Sequence, residues 1–122
     1  MDIHSFWKAV VLQNKDALSA YFRDDAVIRW PCTNEQFTVS EYIKANCEYP
    51  GNWDGVIERI EIRDELIITA VRIYPTDKSS SFHVVSFIEL RKGLICKMDE
   101  YWADDGEAPL WRRDMNLGQP IR

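Results

Sequence analysis

SFHVVSFIELRKGLICKMDEYW, residues Ser81 to Trp102, is two strand-like runs meeting at Lys92-Gly93. Glycine tolerates positive φ at little steric cost, so a Lys-Gly pair between extended runs suits a two-residue hairpin turn. With Arg91 opposite Leu94, regular pairing sets Phe87 against Met98, Val85 against Glu100 and His83 against Trp102. Opposed residues of an antiparallel pair share a face of the sheet. One face is therefore expected to carry His83, Val85, Phe87, Met98, Glu100 and Trp102, an apolar wall with one imidazole and one carboxylate.

Working upstream, Val56–Arg63 and Leu66–Tyr74 are rich in β-branched residues and flank a turn at Asp64-Glu65. If Pro75 sits opposite Ser80, then Arg72 faces His83, Ala70 faces Val85 and Ile68 faces Phe87. This adds a strand to the wall and places Arg72 beside His83. The opposite face, Val84, Ile88, Leu90, Ile95 and Tyr101, is also largely apolar, and a homodimer through this outer sheet face is expected to cover it.

The first half of the chain has helical periodicity. Ile3, Phe6, Trp7, Val10 and Val11 form one apolar stripe, with Asp2 as N-cap. Asn14 caps a second short helix over about Lys15–Phe22, and Ala26–Trp30 reads as a strand ended by Pro31. Pro31–Phe37 is a polar loop. Thr38 and Glu41 have capping-box spacing before a third helix over Val39–Glu48, whose inward stripe is Tyr42, Ile43, Asn46 and Tyr49. Three helices, one early strand and four long consecutive strands make an α+β domain over residues 1–104. Residues 105–122 form a C-terminal tail, with Leu110 and Trp111 expected to pack over the cavity mouth.

Composition narrows the function. With 122 residues, 46% apolar content and five tryptophans, the chain supports one real core. A net charge of −5 without a basic stripe disfavours nucleic acid. No apolar run reaches the ~20 residues that span a bilayer, so no membrane partner is expected. Cys32, Cys47 and Cys96 form no CxxC pair, which fits reduced thiols and a cytoplasmic location. Neither a metal-ligand spacing nor a glycine-rich phosphate loop is present, so no metal and no cofactor is expected.

The element order, the passage from Asp16-Ala17-Leu18 to Asp24-Asp25-Ala26-Val27-Ile28, and Glu100-Tyr101-Trp102 on the last strand resemble the nuclear transport factor-like superfamily. Within it, the chain looks most like the SnoaL-like (polyketide cyclase-like) proteins, over roughly residues 3–104. The resemblance implies a cystatin-like cone: three N-terminal helices packed on a strongly curved, mostly antiparallel sheet that encloses an apolar cavity. It also implies a carboxylate before the final aromatic pair that points into the cavity, and Glu100 matches that position. Enzymatic members usually carry Asp there. The superfamily includes isomerases, cyclases, epoxide hydrolases and dehydratases, and a fold alone does not choose among them.

Glu100 is the expected proton carrier, because desolvation raises a carboxyl pKa toward neutrality. His83 would assist it, and Arg72 or Tyr42 would stabilise oxyanion charge. The competing view is that Glu100, His83 and Arg72 form a structural ion-pair network. Trp7, Trp30, Tyr42, Asn46, Val85, Phe87, Met98 and Trp102 are the expected ligand-binding residues. The function expected is binding of a small apolar molecule in a central cavity, with isomerase-, cyclase- or hydratase-type chemistry, or else a non-catalytic ligand-binding or dimeric interaction module.

Overall fold

A computed structural model describes residues 1–122. Helix α1 spans Ile3–Val11, and the Asp2 carboxylate accepts from the backbone N–H groups of His4 and Ser5, two of the free donors at any helix start. Helix α2, Lys15–Ser19, is capped in the same way by Asn14. It is shorter than expected because strand β1 already begins at Phe22 and runs to Trp30. Pro31–Thr33 is one 3₁₀ turn, and Glu35–Phe37 forms a short strand β2 paired antiparallel with β1. The polar loop expected over 31–37 thus holds a sheet edge. Helix α3, Val39–Cys47, opens on a complete capping box between Thr38 and Glu41.

Strands β3 (Trp53–Arg63), β4 (Leu66–Pro75), β5 (Phe82–Arg91) and β6 (Leu94–Asp104) follow as a meander. The curved six-stranded sheet has the order β2-β1-β6-β5-β4-β3, with β1 and β6 parallel and every other pair antiparallel. Helices and sheet enclose one core, and Phe6, Leu18, Ile28, Val84, Ile88, Ile95 and Met98 are fully buried in it. Gly55 lets α1 approach β3 closely: a Cβ there would lie 3.1 Å from Val11 Cγ1 and 3.3 Å from the Arg72 carbonyl oxygen.

The β4–β5 register is the one expected, with Arg72 against His83, Ala70 against Val85 and Ile68 against Phe87. Lys92 and Gly93 both have positive φ, as a tight hairpin turn requires. The β5–β6 register differs. Arg91 does face Leu94, but Leu90 pairs with Ile95 and Glu89 with Lys97, so Cys96 is an extra residue on β6. The Cys96 thiol points to the Glu89 carbonyl at this bulge. One extra residue moves every later pair by one, so Glu100 faces Ser86, not Val85, and Trp102 faces Val84, not His83. The inner face accordingly carries Val84, Ser86, Ile88, Ile95, Met98 and Glu100, all buried. His83, Val85 and Phe87 are on the outer face. The apolar outer residues expected were Val84, Ile88, Leu90, Ile95 and Tyr101; Val84, Ile88 and Ile95 are instead in the core, and Tyr101 is exposed beside Val85 and Phe87.

After β6, the Ser81 hydroxyl bonds Asp105 Oδ2 at 2.5 Å and so ties the start of the tail to β5. Leu110–Arg113 is a short helix α4 with Leu110 and Trp111 exposed.

Candidate functional site

A cavity of about 260 Å³ opens between α1, α3 and the inner face of the sheet. Every layer of the fold contributes to it: Val10 and Val11 from α1, Ala45 and Asn46 from α3, and Trp30, Trp53, Ile73, Phe82 and Trp102 from five strands. Gln13, Cys32, Thr33, Glu35, Tyr49 and Asp104 complete the lining. The aromatic walls form two groups. Tyr49, Trp53 and Phe82 interlock with ring centroids 5.4 to 6.5 Å apart, and Trp30 meets Trp102 edge-on at 6.0 Å. Asn46 fixes α3 to α1 by donating to the Val10 carbonyl at 3.1 Å, and Gln13 donates to the carbonyls of Asn46 and Tyr49.

Glu100 lies behind this wall and does not line it. It is 1% exposed, and the indoles of Trp30 and Trp102 reach inward toward it. Trp30 Nε1–H donates to Oε1 at 3.1 Å and the Ser86 hydroxyl donates to Oε2 at 2.6 Å. Burial raises the Glu100 pKa to about 7, against the opposing pull of Ser86, Trp30 and Trp102. No cation meets the carboxyl, so desolvation wins. The Trp102 Nε1–H is buried without a hydrogen-bond partner of its own. Tyr42 is buried in the same region, and its pKa is raised first by burial and then by the nearby Glu100 charge.

Arg72 and His83 are side by side, as the sequence indicates, but on the other side of the sheet. His83 Nε2 is 2.9 Å from Glu58 Oε1, and Nδ1 is 2.5 Å from Asp105 Oδ1. Glu58 reaches them because it is the extra residue of a second bulge, between Ile57 and Arg59 on β3. Its other oxygen is 4.0 Å from Arg72, whose guanidinium also stacks 4.9 Å from the Tyr74 ring centroid. Burial pushes Asp105 up, but the Ser81 and His83 hydrogen bonds and the His83 charge outweigh it and hold the carboxyl below its usual value.

The structure therefore separates the expected trio, with Glu100 inside and Arg72 and His83 outside. Among the expected ligand contacts, Trp30, Asn46 and Trp102 line the cavity. Tyr42 and Met98 are core residues beneath it, and Trp7 is buried with its Nε1–H donated to Thr69 at 3.1 Å. Val85 and Phe87 are on the outer face. Sequence reasoning missed Ser86, Trp53 and Phe82. Ser86 carried a signal: a lone hydroxyl within the apolar run Val84–Ile88 calls for a buried partner.

No family model and no curated protein sequence matches the chain. Solved structures match it over nearly its whole length. A protein assigned as a ketosteroid isomerase from Kribbella flavida aligns with a TM-score of 0.80 at 21% identity, covering 97% of this chain and 87% of its own. A nuclear transport factor 2-like protein of unknown function from Burkholderia xenovorans aligns with a TM-score of 0.78 at 25% identity, covering 98% and 92%. A protein assigned as a SnoaL-like polyketide cyclase from Shewanella putrefaciens reaches a TM-score of 0.67 at 10% identity, covering 80% and 74%. The chain has the nuclear transport factor 2-like fold, an α+β cone with a curved mixed sheet. Its structural neighbours are ketosteroid isomerase-like and SnoaL-like proteins.

Proposed function

We propose that this chain binds a small, largely apolar molecule in the cavity and does so without chemistry at Glu100. One observation carries the reading: the carboxyl is sealed behind Trp30 and Trp102, with an oxygen bonded to each of two protein donors. A general base must come within hydrogen-bond reach of the proton it takes. The neutral fluorophore N-phenyl-1-naphthylamine tests the site. It is expected to bind at one site per chain, to be excluded by Ala45→Phe, and to bind Glu100→Gln within about two-fold of the wild type. Binding undiminished in Ala45→Phe, or lost in Glu100→Gln, contradicts the proposal.

A second reading, acid–base catalysis of the isomerase, cyclase or hydratase type, is favoured by the Glu100 pKa of about 7, which suits proton transfer at neutral pH. It requires the two indoles to part. Under it, Glu100→Gln abolishes turnover while ligand affinity persists.

A second copy of the chain is the proposed partner across the outer sheet face. Val85, Phe87 and Tyr101 are 37 to 44% exposed there, and an apolar strip of this kind is a common dimer surface. Sedimentation at twice the 14.3 kDa chain mass is expected, returning to a single chain in Phe87→Glu. No helix is long and apolar enough to cross a membrane. The cytoplasm is the proposed location, supported by three unpaired cysteines.

A further inference from the structure

We propose that the cavity receives an organic cation: an alkylated amine or quaternary ammonium whose positive head sits among the tryptophans. The inference rests on the cavity being a ligand site, as proposed above, and adds the charge of what enters it.

The polar atoms of the lining carry the argument. All but one of its strong side-chain N–H donors are already bonded within the protein, the exception being the buried Trp102 Nε1–H. Both hydrogen bonds of the Gln13 amide nitrogen go to backbone carbonyls, and the Asn46 amide nitrogen donates to Val10. Trp30 donates to Glu100, Trp53 donates to the Pro50 carbonyl at 3.0 Å, and the Trp102 N–H is buried. The Thr33 hydroxyl donates to Glu35 at 2.7 Å. What remains toward a ligand is the Tyr49 hydroxyl and Cys32 thiol, which can donate or accept, and the carbon surface of five aromatic side chains. The lining includes no Lys, Arg or His, whereas Glu35 and Asp104 bring two carboxylates.

Such a wall discriminates by charge. An anionic or enolate ligand would lose its hydration and find no cation to replace it, and the one unbonded indole N–H, that of Trp102, is buried. A neutral apolar molecule gains burial alone. An ammonium gains burial of its alkyl groups, attraction to the negative faces of the rings, and the field of two carboxylates on a chain of net charge −5. With the Trp30 and Trp53 N–H groups spent on protein acceptors, these indoles offer the cavity ring surface.

Three molecules of matched shape and different charge provide the test: choline, 3,3-dimethylbutan-1-ol and 3,3-dimethylbutanoate, each followed through the indole N–H resonances of the full chain. Choline is expected to shift the Trp30, Trp53 and Trp102 signals and to bind ~10-fold more tightly than the alcohol, with no response to the acid. Glu35→Gln combined with Asp104→Asn is expected to reduce the advantage of choline over the alcohol by about three-fold or more, since exposed carboxylates contribute modestly. Equal binding of choline and the alcohol, or preferred binding of the acid, overturns the inference and leaves the cavity reading intact. Silence from all three while N-phenyl-1-naphthylamine still binds does the same. Silence from all three together with loss of the fluorophore overturns both.

Discussion

Glu100 lies near the end of β6 and Asp105 just past it, five residues on, yet their carboxyls meet opposite conditions. Glu100 faces inward, where two indoles and a serine supply only neutral contacts, and burial lifts its pKa to about 7. Asp105 is half-buried on the outer side beside the His83 ring and the Ser81 hydroxyl, which together hold it below its usual value despite burial. Desolvation penalises both anions, and only the one beside the His83 ring and the Ser81 hydroxyl keeps its charge easily. The bulge at Cys96 sorts them, because without it Glu100 would share a face with His83.

The largest effect is expected where the inner site is emptied. Glu100→Ala leaves the Trp30 N–H and Ser86 O–H without an acceptor and opens a void, so urea denaturation at pH 5 is expected to show a loss of about 4 kcal/mol. A loss below about 1 kcal/mol there would mean that the carboxyl is not enclosed as described.

Next comes pH dependence. The folded state holds the Glu100 proton up to about pH 7, whereas the unfolded chain releases it near 4.5. Between those values the unfolded state binds fewer protons, so the stability due to this group falls as pH rises and levels off above pH 7. The full change is about 3 kcal/mol. Because Gln does not ionise, the stability of Glu100→Gln relative to wild type is expected to rise between pH 5 and pH 8. A difference that stays constant with pH contradicts the assignment.

The smallest effect separates the two centres by sign. Asp105→Asn is expected to cost about 1 kcal/mol near neutrality. Because the folded pKa of Asp105 is depressed, its contribution is present above the unfolded value of 3.8 and disappears as pH falls through the folded value. Acid thus erases the Asp105 difference, whereas rising pH weakens the wild type at Glu100. Denaturation curves at pH 7 and through the acid range check this, and a cost that does not shrink as pH falls below 3.8 breaks the contrast.

Much of the fold was legible because local rules decided it. The Asp2, Asn14 and Thr38 caps, the α1 stripe, the Lys92-Gly93 turn and the β4–β5 register all follow from short-range chemistry. The inward side of β6 at Met98, Glu100 and Trp102 was also legible. The facing side of β5 was not, because His83, Val85 and Phe87 are about as apolar as Val84, Ser86 and Ile88, so hydrophobicity could not choose a face. Spacing on β6 held the missing clue. Ile95 and Met98 are both fully buried though three residues apart, and an extended strand manages that only through an extra residue between them. The same kind of bulge at Glu58 draws Arg72 and His83 into the outer network. The cavity's aromatic wall was half visible, in Trp30 and Trp102. Trp53 and Phe82 join it through strand pairing across the sheet, which no local pattern encodes.

The most direct test of this separation is the titration of the Glu100 side-chain carboxyl carbon, followed by NMR in the wild type and in His83→Gln. The structure predicts a midpoint near 7 that is the same in both proteins, since the two residues are on opposite faces of the sheet. A midpoint near 4.5, or one that moves by about a unit when His83 is replaced, would contradict it.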